Sequence, residues 1–377
     1  MKKIGTFLLA FLLAIAVPAP CFASVEKQTV KAPSAVLVSA DTGQVVYEKN
    51  AHDRRLPASV TKLMTMLLVA EALDSGKIHL TDTVTCSANA AAKGGSQIWL
   101  ELGEQMSVEE LLKAVVIASA NDACTALAEF IAGSDTAFVA QMNAKAKALG
   151  LQDTHFENCT GLDDTAKNHY SSAYDLAVIA RLVLEHNWIT KYTTVWLDSL
   201  RQGKTELNNT NKLVRDYNGI TGLKTGTTEK AGFCVCATAK RDGMQWIAVV
   251  LGAKTSEDRF SAAAALLDEG FASYRLLTVT PDPKKLGTIQ VKNGMEKHLT
   301  PGLPKSQKIL CTKSSNTPEY VYVMRKKIQA PVRTNTKVGK VLVRLDGKII
   351  AEIPIYAGKN LDKTDYWSVF IGFLKAI

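Results

Sequence analysis

Ser59 and Lys62 stand three residues apart in Pro57-Ala-Ser-Val-Thr-Lys62, and the apolar run Leu63-Met-Thr-Met-Leu-Leu-Val-Ala70 follows at once. Pro57 presets φ for a first turn, and Leu, Met and Ala favour helix, so the pattern predicts a helix from Pro57 to about Leu73. Three residues apart on a helix is one face, which brings hydroxyl and ammonium within touching range. A serine hydroxyl is a weak nucleophile without a base beside it, and a desolvated lysine is such a base. The free N–H groups of a helix start also favour negative charge developing there. Alone, S-x-x-K is a common tetrapeptide that fits a capped helix with a surface lysine equally well.

Two further stretches carry groups of the same kind. Ile117-Ala-Ser119-Ala-Asn121-Asp122 interrupts an apolar helical segment with small polar residues. Set in a loop between two helical pieces, its hydroxyl can relay a proton and its amide can hold a substrate carbonyl or the lysine; a helix cap is the plainer use. Gly222-Leu-Lys224-Thr225-Gly226-Thr227-Thr228 lies directly before a strand. Lys224 offers positive charge, Thr225 a hydroxyl, and Gly226 lets a substrate backbone approach a sheet edge, which suits a substrate ending in a carboxylate. The six histidines and the cysteines show neither paired-His nor C-x-x-C spacing, so no metal and no cofactor is expected.

The elements that must position these groups follow from periodicity. Ala35 to Ala40 and Gln44 to Tyr47 read as short strands around Asp41-Thr-Gly43. Helices are predicted over Val108 to Ile131, Ser134 to Leu149, Ser172 to Leu184 and Glu257 to about Tyr274. Phe233 to Ala239 and Trp246 to Leu251 form a hairpin about Asp242-Gly243. Strands at both ends of this region enclose a helical middle, so the sheet must pair early segments with late ones. Cys234 and Cys236 share one face of their strand, which suits packing better than a mutual bridge, and Cys124 is read as a buried thiol near the cleft.

Composition divides the chain. Residues 1–23 carry Lys2 and Lys3, then the apolar run Ile4 to Val17, and end at Cys21-Phe22-Ala23; they read as a secretory signal cleaved before Ser24. Residues 24–280 hold 25 Lys and Arg against 29 Asp and Glu, whereas residues 281–360 hold 16 against 5. The break coincides with Thr280-Pro-Asp-Pro283 and sets the expected domain boundary. Residues 281–360 show short β-rich runs separated by turns such as Asn293-Gly294 and Asp346-Gly347, which predicts a small all-β domain. In residues 361–377 an apolar face with Tyr366, Trp367, Phe370 and Phe373 suits an interfacial helix at a membrane surface. Export removes nucleic acid as a partner for the basic segment.

In the order S-x-x-K, S-x-N, K-T-G, the three stretches are the trio of penicillin-binding proteins and class A β-lactamases, with Ala120 where Asp usually stands. The chain more closely resembles the serine-type D-alanyl-D-alanine carboxypeptidases, low-molecular-mass penicillin-binding proteins of peptidase family S11. The resemblance also runs through Gly161-Leu-Asp-Asp, His169-Tyr-Ser-Ser-Ala-Tyr-Asp175, Lys230-Ala-Gly232 and Thr255-Ser-Glu-Asp-Arg259-Phe260, and covers nearly the whole mature chain. It implies a mixed α/β (α+β) transpeptidase fold, an antiparallel sheet with a helical lobe, plus the all-β domain and terminal amphipathic helix. Ser59 resembles the nucleophile, Lys62 its base, Ser119 and Asn121 the proton relay and substrate-amide contact, and Lys224 a cationic group. Thr225 and Arg259 would hold the terminal carboxylate, with Gly226 beside them, and the N–H groups of Ser59 and Thr227 would form the oxyanion hole. Many relatives carry His where this chain has Thr227. The implied partners are the peptidoglycan stem peptide, β-lactams as inhibitors, and the outer face of the cytoplasmic membrane.

A β-lactamase shares nucleophile and fold, but class A enzymes use a Glu in E-x-x-L-N, and the nearest run, Glu206-Leu-Asn-Asn209, has the wrong spacing. A non-enzymatic sensor or scaffold is the other alternative; it does not need Lys62, Asn121 and Lys224 intact. His169 and Asp175 are expected to brace the loop near the site, and Gly94-Gly95, Gln97 and Trp99 to form a mobile rim.

Overall fold

The computed structural model describes residues 30–365. The expected signal sequence and most of the expected interfacial helix lie outside the described residues.

Five antiparallel strands form the central sheet, in the spatial order Val45–Lys49, Ser34–Ser39, Met244–Ala253, Gly232–Arg241, Ile220–Thr228. Early strands pair with late ones, as the enclosed helical middle requires, and the strand holding Lys224-Thr225-Gly226 lies at an edge. Alternation along the strands separates two cores. Val36, Val38, Cys234, Cys236, Ile247 and Val249 face the helical lobe. Ala35, Leu37, Val235, Ala237, Trp246 and Ala248 face the other way, toward the helix Ser256–Ser273. The two sheet cysteines therefore share a face, and all six cysteines among the described residues are buried free thiols.

The helical lobe is built from Lys62–Asp74, Asn121–Ala132, Asp135–Ala148 and Ala173–Glu185. The segment expected as one interrupted helix from Val108 to Ile131 starts with a capping box between Ser107 and Glu110. It then passes through a π turn at Ala114–Ala118 and breaks at Ser119, whose φ is 64°. Such a turn shifts the register of the side chains beyond it, a feature frequent at functional sites.

The helix Ser256–Ser273 runs straight into a strand, Tyr274–Val279, which pairs with Gln307–Thr312. The pattern predicts helix to about Tyr274 and neither strand, because no turn residue separates helix from strand. The β-rich segment adds a three-stranded sheet of His298–Leu299, Ile289–Lys292 and Lys327–Gln329, and another of Glu319–Met324, Lys337–Leu345 and Lys348–Tyr356. The last two are joined at Asp346-Gly347, with φ of 51° and 77°, the primed turn that Asp-Gly favours. Lys308 Nζ reaches Asp41 Oδ1 at 2.6 Å, and Leu310 is buried in the sheet core, tying the segment to the first domain.

Gly270 lets the helix Ser256–Ser273 lie on the indole of Trp246: a Cβ there would sit 2.7–2.9 Å from three ring atoms. Trp246 is fully buried and has nowhere to go. Gly270→Val is expected to cost about 1–3 kcal/mol through overpacking, read as a lower urea midpoint; an unchanged midpoint would contradict this packing.

Candidate active site

The helix expected from Pro57 begins instead with a 3₁₀ turn, Ala58–Thr61, and becomes α-helical at Lys62. Ala58 takes a left-handed φ of 48°, which resets the chain before the helix. In the stretch 57–61 only Ser59 retains exposure; its four neighbours are buried. Lys62 is wholly buried. Its Nζ lies 3.0 Å from Ser59 Oγ, 2.6 Å from Asn121 Oδ1 and 2.8 Å from the Thr160 carbonyl. Asn121 Nδ2 donates to the Gly94 carbonyl at 2.7 Å, which sets the amide so that its oxygen faces the lysine. Asn121 Oδ1 and the Thr160 carbonyl accept hydrogen bonds and cannot donate them. A neutral amine satisfies both with its two N–H groups and leaves its lone pair for the Ser59 hydroxyl. Burial is the main force that pushes the Lys62 amine below the ordinary lysine range.

Thr160 carries no signal in the sequence, because a backbone carbonyl leaves no side-chain signature. Its position is nonetheless heavily determined. Asn158 Oδ1 accepts from Thr160 N, Thr160 Oγ1 and Gly161 N. Thr65 Oγ1 and Cys124 Sγ both donate to the Cys159 carbonyl. His169 braces the same region from outside: its Nδ1 accepts from Glu157 N, so its Nε2 carries the proton and donates to Thr61 Oγ1 at 2.8 Å. Burial lowers the His169 pKa to about 4, which keeps the ring neutral. Asp175 accepts from Asp153 N and Thr154 Oγ1, a bracing role at the neighbouring turn.

Ser119 is buried, and its Oγ has no hydrogen-bond partner among the described residues. Of the residues expected to bring a side chain to the site, it alone makes no side-chain bond among the described residues. The rim expected to be mobile is tethered: Asn121 N donates to Ser96 O, and the buried Asp122 carboxylate accepts from Ile98 N and Leu100 N.

On the edge strand, Lys224 is buried with one hydrogen bond, to the Thr225 carbonyl at 3.1 Å. Burial first, and then the charge of Lys62, push its pKa well below the lysine range. Gly226 has a packing role besides the expected admission of substrate. A Cβ there would lie 2.8 Å from Pro57 O and Ser59 N and 2.9 Å from Val60 N, so its bare backbone lets the strand lie against the Ser59 turn. Thr225 Oγ1 donates to Thr210 Oγ1 at 2.6 Å, a bond it must release to meet a carboxylate. Arg259, expected with Thr225 to hold the terminal carboxylate, spends Nη1 on Gly226 O, Thr227 Oγ1 and Cys234 O. It first joins two strands, because those carbonyls face it across the start of its helix. Nη2 is loosely held, in a long 3.4 Å bond to Ser256 Oγ, and the buried Nε has no partner among the described residues. Burial lowers the Arg259 pKa to about 10, which leaves it charged at neutral pH.

Gly161 joins the Thr160 carbonyl to this site. Its φ is +86°, and a Cβ would fall 1.8 Å from Ala58 O. Gly161→Ala is expected to lower penicillin acylation at least about tenfold by moving that carbonyl and the Ser59 turn together. Gly133, with φ +84° and open space around it, is the control: Gly133→Ala should cost only about 1–2 kcal/mol of stability, with acylation unchanged. Wild-type acylation in Gly161→Ala would contradict the account.

Residues 22–255 match the family model described as D-alanyl-D-alanine carboxypeptidase, and residues 274–363 match the penicillin-binding protein 5 C-terminal domain. The chain is 43% identical to D-alanyl-D-alanine carboxypeptidase DacF of Bacillus subtilis, over 92% of this chain and 88% of that protein. It is 32% identical to DacA of Escherichia coli K12, over 92% and 87%. Penicillin binding protein 5 from Haemophilus influenzae superposes with a TM-score of 0.81 at 32% identity, covering 89% of this chain and 98% of that one. The ampicillin-bound penicillin-binding protein D2 from Listeria monocytogenes gives 0.59 at 33% identity, over 64% and 98%. The chain belongs to peptidase family S11, the serine-type D-alanyl-D-alanine carboxypeptidases of peptidoglycan, and carries their penicillin-binding-protein-5 type C-terminal domain.

Proposed function

We propose that Ser59 is the nucleophile of this carboxypeptidase and that neutral Lys62 is its base. The observation that carries the reading is the buried amine 3.0 Å from Ser59 Oγ with both its other acceptors fixed. Ser59 Oγ attacks the carbonyl between the two D-alanines as its proton passes to Lys62 Nζ. The N–H groups of Ser59 and Thr227 receive the oxyanion; Gly226 packing on Ser59 N supports that pairing of helix start and strand. The C–N bond breaks, and the leaving D-alanine takes the proton, for which the unpartnered Ser119 hydroxyl is the relay. Water then attacks the acyl-enzyme and restores Ser59.

Asn121 orients Lys62 and offers its amide side to substrate, while Lys224 supplies positive potential when Lys62 is neutral. Thr225 and Arg259 Nη2 meet the terminal carboxylate, and Thr227, in place of the histidine of many relatives, aligns Arg259 through its hydroxyl. A β-lactam ring carbonyl takes the same place and leaves a slowly hydrolysed acyl-enzyme. The E-x-x-L-N comparison favours this over rapid drug hydrolysis: Leu207 is buried, and Asn209 is spent on the carbonyls of Thr193 and Val195.

Residues 24–280 form the catalytic unit and 281–360 a basic β-rich support. Residues 1–23 direct export, and residues 361–377 lie on the outer face of the cytoplasmic membrane.

D-alanine release from a pentapeptide ending in D-Ala-D-Ala, together with fluorescent-penicillin labelling, tests the assignment. Ser59→Ala is expected to abolish both. Lys62→Gln should slow acylation about 10²–10⁴-fold. Labelling that survives in Ser59→Ala, or a Lys62→Gln rate within a few-fold of wild type, would overturn it.

A further inference from the structure

Beyond the strand Lys348–Tyr356 the chain runs on to Asp365, and two contacts fix where it leaves the β-rich segment. Lys363 pairs with Gly294, and Thr364 N donates to the Asn293 carbonyl at 2.9 Å. The tail of residues 366–377, with Tyr366, Trp367, Phe370 and Phe373 in its sequence, therefore departs beside the loop that follows the strand Ile289–Lys292. What surrounds that exit takes no part in the chemistry above.

Ile289–Lys292 is the middle strand of the small sheet formed with His298–Leu299 and Lys327–Gln329. Alternation sends Ile289, Val291, Leu299 and Ile328 into the core of the β-rich segment. The opposite face holds Gln290, Lys292, His298, Lys327 and Gln329, every one exposed, and no acid. Lys297 adjoins this face, its carbonyl accepting from Val291 N. Among the described residues no ion pair engages Lys292, Lys297 or Lys327. The nearby acids Glu296 and Asp362 are already matched, Glu296 by Lys359 and Asp362 by Arg333, each at 2.6 Å. Unspent positive charge is thus gathered on one sheet face next to the exit.

The same end exposes apolar side chains. Met295, 61% exposed, sits in the loop after Lys292, and its N–H donates to the Asp362 carbonyl. Leu303, 72% exposed, follows Gly302, whose N–H donates to the Tyr356 carbonyl, while Gly358 N donates to the Thr300 carbonyl. Both loops are therefore bonded to the stretch that leads into the tail. A soluble polyanion would use the lysines and leave these two side chains in water. A lipid surface takes both, with the ammonium groups at anionic headgroups and the apolar tips below them.

We propose that this end of the β-rich segment is itself a membrane-contact surface. It meets anionic phospholipid through Lys292, Lys297 and Lys327 and dips Met295 and Leu303 among the acyl chains. The proposal rests on the reading that the tail lies on the membrane, and adds a second contact beside it.

The test is flotation of the exported chain, residues 24–377, with vesicles of phosphatidylcholine alone or mixed with phosphatidylglycerol. Wild type should bind the mixed vesicles at least about tenfold more tightly, a difference that high salt removes. K292Q/K297Q/K327Q should lose that preference and bind phosphatidylcholine as wild type does. K147Q/K212Q/K240Q, the same charge change at exposed positions of the catalytic unit, should keep it. M295S/L303S should weaken binding to both vesicle types about fivefold. Penicillin labelling should stay at the wild-type level in all three variants. Equal wild-type binding to both vesicle types, a preference that survives in K292Q/K297Q/K327Q, or full binding by M295S/L303S would overturn the surface while leaving the tail's reading in place. A surviving preference with retention on immobilised polyphosphate lost would assign the lysines to a soluble polyanion instead. No binding of wild type to either vesicle would strike the tail's reading and the surface together.

Discussion

The site depends on one costly placement, an amine taken wholly out of water. Burying a charged lysine costs several kcal/mol even after relaxation, and Lys62 has no carboxylate bonded to it. Its partners are an amide oxygen, a backbone carbonyl and a serine hydroxyl. That set fits a neutral amine, with the Ser59 hydroxyl donating to its lone pair, and offers an ammonium no counter-charge. A charge on Lys62 would also press on the second buried amine, Lys224, whose pKa burial and then Lys62 push well below the lysine range. Desolvation therefore lowers the pKa of an ordinary basic residue, which supports its proposed role as the base, and the surrounding fold keeps that burial intact.

Four separate parts of the chain converge to do so. The 3₁₀ turn presents Ser59 while burying its neighbours; the break at Ser119 re-aims the chain so that Asn121 opens a new helix with its amide toward Lys62. The Asn158–Gly161 turn delivers the Thr160 carbonyl, and the edge strand closes against Ser59 only because residue 226 has no side chain. Arg259 joins Gly226 and Cys234 from the far helix, so the sheet edge, the oxyanion donors expected there and the carboxylate site share one anchor.

Much of this was legible because the chemistry rests on short local patterns. Ser59 with Lys62, and Ser119 with Asn121, are each close enough in sequence for spacing to imply geometry. The hairpin about Asp242-Gly243 and the early-with-late sheet followed from period and turn chemistry. What escaped lacks such a signature. Thr160 acts through its backbone from 98 positions beyond Lys62. Gly226 serves its own chain's packing, and Arg259 meets its own carbonyls before any ligand; neither is encoded in neighbouring residues. The strand Tyr274–Val279 was hidden by the helix that runs into it, and it reaches a partner more than thirty residues later.

The central claim is that Lys62 acts as a neutral base because it is desolvated. It is tested most directly by the second-order rate of acylation by a fluorescent penicillin, followed from about pH 5 to about pH 11. With acylation requiring the unprotonated amine, the rate should fall on the acid side along a limb centred well below the ordinary lysine value of about 10.4, and be level above it. A rate that keeps climbing until it reaches the ordinary lysine range would contradict the account.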